Sequence, residues 1–275
     1  SARKTVKRKR SKCPLGFGSG LFRISFEKEG GKAYMQYSTF AAIDIGSYDV
    51  ILEIFEISKK QGIRSVDKIC HRMELGKDTY TLGKIRPEME EELCRVLADF
   101  VRIMEGYRVD DYRATASSAI SEASNSLYVL GKIHQLTGFS VTVLSNSEQR
   151  FLSYKALAAM EDNFNKIIEK GTAILDLDGG SFQISLFDKD ALVTTQNIRM
   201  GSLRIRERLA GIQSETEHYE EMVEELIWNE VSSFKKMYLK DRKIENIMLI
   251  GDVFTDSVYQ NIEEKTTKII SRENF

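Results

Sequence analysis

Two stretches of this chain share one pattern, and the repeat constrains the fold more than any other feature. FAAIDIGSYDVILEIFEI runs over 40–57 and TAILDLDGGSFQISLFD over 172–188. Each is an apolar run, an Asp, a short Gly/Ser turn and a second alternating run. Asp44 and Asp176 occupy the same point of their copies. Two β-prone runs joined by a tight Gly/Ser turn read as a β-hairpin. Gly and Ser at such a tip let backbone N–H groups approach an anion closely. Two tips in one chain suggest two half-sites facing one phosphate-rich ligand.

The rest of the composition narrows the class. A chain of 275 residues is expected to hold two domains. No apolar run is long enough to span a membrane, and no apolar segment of a secretory signal follows the basic N-terminus. The three Cys (Cys13, Cys70 and Cys94) are scattered, which argues against a disulfide framework or a zinc site and fits the cytoplasm. A net charge of -1 gives no overall field for nucleic acid. Residues 1–12, SARKTVKRKRSK, are densely basic and lead into a Gly-rich stretch. They read as a leader outside the fold, with a polyanion-binding arm as the alternative. Residues 1–38 are therefore set apart, and Met35 is a candidate natural start.

Strands are expected over 40–45, 50–57 and 65–72. Pro87 opens a helix whose apolar stripe is Met89, Leu93, Val96, Leu97, Phe100, Val101 and Met104, and Gly106 is its expected stop. A strand over 112–116, a helix over 127–136, a strand over 141–144 and a helix over 147–160 follow. After the second hairpin come a helix over 215–239, with Ser214 and Glu217 as a capping box, and a strand over 247–250. Alternating strands and helices make the class α/β. A boundary near residue 152 gives each half one hairpin, with domains over 39–151 and 152–275.

Four segments in order resemble the exopolyphosphatase / guanosine pentaphosphate phosphohydrolase family. AIDIGS over 42–47 is similar to its first phosphate loop, and RATASSAISEASN over 113–125 to its A-T-S-A-x-R-x-A-x-N stretch. VLSNSEQR over 143–150 is similar to its G-x-E-E-A stretch, and DLDGGS over 176–181 to its second phosphate loop. GSLR over 201–204 adds a fifth, weaker match. The resemblance covers about 40–209. It implies two actin-like (ribonuclease H-like) domains, each a mixed sheet flanked by helices, with an interdomain cleft and a shortened C-terminal part. It also implies hydrolysis of a terminal phosphate from inorganic polyphosphate or guanosine pentaphosphate, Mg²⁺ as cofactor, and a homodimer.

Residue by residue, the resemblance places the general base at Glu148. It places Asp44 and Asp176 where metal or water is positioned; Asp178, where the family has a Gly, is a candidate metal ligand in place of the carboxylate that Gln183 replaces. Phosphate contacts fall on Gly46, Ser47, Gly179, Gly180, Ser181 and Asn125. Such chemistry needs an oriented water, a base and neutralisation of phosphate charge. Each position also has a plain structural reading. Glu148 lies three residues after Ser145 and completes a capping box. Asp44 and Asp176 are turn formers, and Asn125 suits a cap equally well.

The departures from the family push toward weaker anion or metal binding, with Asp49 or Asp178 as the alternative metal ligand that would offset part of the loss. Asp49 stands where a small phosphate ligand is expected, and Ile51 and Ser121 replace basic positions. Gln149 replaces the second Glu, Asp178 a Gly, and Gln183 a carboxylate. Two functional expectations follow: a metal-dependent phosphohydrolase, or a protein that binds or senses polyphosphate or nucleotide without efficient turnover.

Overall fold

The computed structural model describes residues 37–161, 163–210, 218–240, 242–251 and 268–271. All belong to one packed unit, Tyr37–Phe275. The basic leader and the Ser214–Glu217 capping box lie outside the described residues.

The first hairpin extends into a meander of β1 (Tyr37–Ile45), β2 (Asp49–Ser58) and β3 (Gly62–Arg72). Helices α1 (Leu75–Leu82) and α2 (Pro87–Gly106) follow, then β4 (Asp111–Ala116), α3 (Ser118–Ser121), α4 (Ser126–Thr137), β5 (Val141–Val143) and α5 (Asn146–Met160). The five strands order β3-β2-β1-β4-β5. The meander is antiparallel, and β4 and β5 join in parallel.

The second half repeats this plan except at its far edge. After α6 (Phe164–Glu169) come β6 (Thr172–Leu177), β7 (Phe182–Asp188) and β8 (Ala191–Ile198). Then follow α7 (Ser202–Leu209), α8 (Tyr219–Phe234), a π-helical turn over Lys235–Leu239, β9 (Asn246–Gly251) and β10 (Lys268–Ser271). The order is β10-β9-β6-β7-β8, with β9 parallel to β6. At the edge β10 runs antiparallel to β9, while β5 runs parallel to β4. The class is α/β, with two mixed sheets flanked by helices. The boundary expected near residue 152 falls within α5.

Alternation explains the first sheet. Val50, Leu52 and Ile54 on β2 are fully buried, as are Ala41 and Ile45 on β1, and they meet Leu93, Leu97 and Phe100 of α2. By contrast β7, an interior strand, is buried along both faces. Its Phe182, Ile184 and Leu186 pack with Phe234, while Gln183 and Ser185 take the opposite face. As expected, α2 ends at Gly106, and the residue with positive φ (53°) just beyond it is Arg108 rather than the glycine.

Register fixes the equivalence of the two acids. Asp44 pairs with Ile51 on β2 and Thr115 on β4. Asp176 pairs with Gln183 on β7 and Ile250 on β9. Each sits one residue before the end of the strand that joins the antiparallel and parallel parts of its sheet.

Candidate active site

The two Gly/Ser turns meet. Gly46 N–H donates to the Asp49 carbonyl at 2.9 Å, closing the first turn, and Asp178 N–H donates to the Ser181 carbonyl at 3.0 Å, closing the second. A Cβ on Gly179 would lie 3.1 Å from Ser47 Cβ, so absence of a side chain lets the turns touch. Tyr80 of α1 stands between them. Its hydroxyl bonds Ser47 Oγ at 2.7 Å and Ser118 Oγ at 2.8 Å. A Cβ on Gly180 would lie 2.1 Å from that hydroxyl. The structure thus brings Gly46, Ser47, Gly179 and Gly180 together, with Ser47 fully buried beneath the Tyr80 hydroxyl.

Arg204 of α7 closes this junction. Its guanidinium stacks 3.9 Å from the Tyr80 ring centre, donates to the Gly180 carbonyl at 2.9 Å and to Glu122 at 3.0 Å. Two residues on, Arg206 forks onto both carboxylate oxygens of Glu74 and reaches the Tyr48 hydroxyl at 3.1 Å. These pairs join residues of the first sheet's half to those of the second. Sequence reading missed Tyr80, Glu74 and Arg206. The segment that carries Tyr80 opens without a Ser, Thr, Asp or Asn cap, on Glu74 in a left-handed conformation.

Beyond the junction lies a small polar cleft of about 20 Å³. It is lined by Asn146, Gln149, Arg150, Asp176, Asp178, Ser181, Gln183 and Asn197. Helical spacing explains the contribution of α5. Asn146, Gln149, Arg150, Ser153, Tyr154 and Leu157 form one face, which packs against the second hairpin. Ser153 donates to Asp176 at 3.2 Å, Tyr154 donates to Ser185 at 2.5 Å, and Leu157 enters the core with Ile174. Asn197 donates to Ser181 at 3.1 Å.

The remaining candidate residues lie elsewhere. Glu148 projects from another side of α5 and completes the capping box: its carboxylate accepts from Ser145 N–H at 2.9 Å, and its own N–H donates to Ser145 Oγ. Asp44 is exposed and accepts from Thr115 at 3.3 Å. Asn125 clasps the Ile85 peptide, accepting its N–H at 3.0 Å and donating to its carbonyl at 2.8 Å. None of the three lines the cleft.

Electrostatics separates the two acids of α5 and β6. Burial pushes the Asp176 carboxyl above the usual carboxylate range, against the hydrogen bond from Ser153. The Ser145 backbone N–H, and then its hydroxyl, hold Glu148 below that range. Burial also raises the Tyr80 phenol, so it stays neutral. Asp44, Asp176 and Asp178 do not gather into one metal set, and among the described residues no three His, Cys, Asp or Glu do so. Asp176 and Asp178 do share the cleft, and Mg²⁺ commonly needs only one or two carboxylates beside substrate phosphate.

The family model of the Ppx/GppA phosphatase family matches residues 53–275. A bifunctional 3-dehydroquinate synthase/phosphatase of Fusobacterium nucleatum is 22% identical over 238 residues, 82% of this chain and 34% of the relative. Exopolyphosphatase 1 of Mycobacterium leprae is 25% identical over 144 residues, 52% of this chain and 41% of the relative. Among solved structures, an exopolyphosphatase from Cytophaga hutchinsonii aligns with a TM-score of 0.66 at 20% identity, covering 78% of this chain and 66% of that one. The Aquifex aeolicus Ppx/GppA family member aligns with a TM-score of 0.58 at 22% identity and the same coverage. This chain therefore spans well under half of those curated relatives and about two thirds of those structures. The repeated sheet is the actin-like fold, and this chain belongs to the Ppx/GppA phosphatase family.

Proposed function

We propose that the chain hydrolyses a terminal phosphoanhydride, releasing orthophosphate from inorganic polyphosphate or guanosine pentaphosphate. The observation that carries this reading is the cleft itself. The second Gly/Ser turn and the first turn of α5 converge there with Asp176, Asp178 and Arg150. The turn and helix start offer N–H groups and the Ser181 hydroxyl to phosphate oxygens. Mg²⁺ held by Asp176 and Asp178 would neutralise phosphate charge. Glu148 is the base that the family resemblance suggests, and it would have to exchange its Ser145 cap for water to serve. Asp176 already lies in the cleft and is the alternative base if Asp178 alone holds the metal.

The second reading, binding without efficient turnover, has its own support. Gln149 and Gln183 put amides in the cleft, and neither accepts a proton. Orthophosphate release from both substrates by wild type, Glu148→Gln and Asp176→Asn separates these readings. Loss in Glu148→Gln alone makes Glu148 the base, and loss in Asp176→Asn alone points to Asp176. No release by clean wild type with Mg²⁺, alongside measurable binding, favours the binding protein.

A further inference from the structure

An anion entering the cleft meets two carboxylates, so it needs a cation that the protein has not already neutralised. Among the described residues that line the cleft, Arg150 is the cation. Its partners are hydroxyls: it donates to Thr195 at 3.1 Å and to Ser147 at 2.9 Å. The neighbouring arginines are engaged differently. Arg199 and Arg204 pair with Glu122, and Arg206 with Glu74. A guanidinium held by neutral oxygens keeps its full charge for a ligand, and three of its five N–H donors remain for phosphate.

The support behind Arg150 runs through half-buried Thr195 into the core, while Ser147 is exposed. Thr195 Oγ1 bonds Ser185 Oγ at 3.1 Å, and Ser185 takes the Tyr154 hydroxyl. Ser185 is 1% exposed, on the interior strand β7. This hydroxyl chain fixes the base of the guanidinium against the sheet and lowers the ordering cost of using it. We propose that Arg150 is the phosphate-binding cation of the cleft, held ready by Thr195 and Ser147. The inference rests on the phosphohydrolase reading above, or equally on its binding variant, because both place a terminal phosphate in this cleft.

Titration calorimetry of the full chain with inorganic tripolyphosphate and Mg²⁺ tests it. Arg150→Met is expected to bind about 10- to 100-fold more weakly than wild type, the loss of a charge-assisted fork. Arg150→Lys keeps the charge without the fork and is expected to lose about 3- to 10-fold. Arg199→Met, an exposed control paired with Glu122, is expected to stay within about twofold. Should Arg150→Met not fold, the lysine variant decides. Wild-type affinity in the folded Arg150 variants overturns the role of Arg150 and leaves the cleft reading standing. No tripolyphosphate binding by wild type overturns both.

Discussion

Replacing Gly201 with Ala tests the packing that holds the second phosphate turn. Gly201 precedes α7 at φ -76° and ψ 166°, a conformation that Ala adopts freely, so the backbone itself does not object. Space does. A Cβ there would lie 2.3 Å from the Asp178 carbonyl oxygen and 2.4 Å from that of Gly179. Both are main-chain atoms, so the turn itself has to move by about 1 Å to restore van der Waals distance. The same carbonyls accept Ser202 N–H at 3.2 Å and Arg204 N–H at 3.1 Å. Overpacking costs about 1–3 kcal/mol and each of the two strained hydrogen bonds about 1 kcal/mol, so the expected loss is about 3–5 kcal/mol. For a chain of this size that is roughly 6–20 °C in Tm. Urea melts should show a lower midpoint with an unchanged slope, and orthophosphate release should fall with the displaced turn. Gly131→Ala, in open space on α4, is the control and should stabilise by about 0.5–1 kcal/mol. A Gly201→Ala protein with wild-type Tm and activity would refute the close approach of α7 to the turn.

Other consequences follow from the same geometry. Ser145→Ala removes the α5 cap and should cost about 1 kcal/mol in denaturant melts; no change would mean that the box is not formed. Because burial raises the Asp176 pKa, its ionised form opposes folding, and its favourable contribution is lost as pH rises through the folded value. Asp176→Asn should therefore raise Tm at neutral pH, by less in acid, while phosphate release falls; a lower Tm at pH 7 contradicts this. Arg206 lowers the Glu74 pKa, so that pair stabilises above the unfolded value and its contribution is lost as pH falls through the folded one. Glu74→Gln should cost about 1–2 kcal/mol at pH 7, and the gap to wild type should narrow on acidification; a gap independent of pH counts against the pair.

Much of the fold was legible because it is periodic. The Asp–Gly/Ser repeat located β1–β2 and β6–β7, and the stripe on α2 located its buried face. The edge strand β8 and the short helices α1, α6 and α7 escaped because they are short or polar and lack strong caps. The site was legible in part for a related reason. A strand fixes its own turn, so the Asp and Gly positions could be read locally. Which face of α5 meets the second hairpin depends on packing of Tyr154 and Leu157. That packing puts Gln149 and Arg150 in the cleft and leaves Glu148 at its cap. The Tyr80 contact joins residues 33 and 38 positions apart, and no local pattern encodes it.

The central claim is that a terminal phosphate binds between the second Gly/Ser turn and the first turn of α5. A crystal structure with a non-hydrolysable imidodiphosphate analogue of polyphosphate and Mg²⁺ tests this most directly. The account predicts the terminal phosphoryl group within hydrogen-bond distance of Ser181 and Arg150, beside Asp176 and Asp178. A fully occupied analogue bound elsewhere, with those four residues untouched, would contradict it.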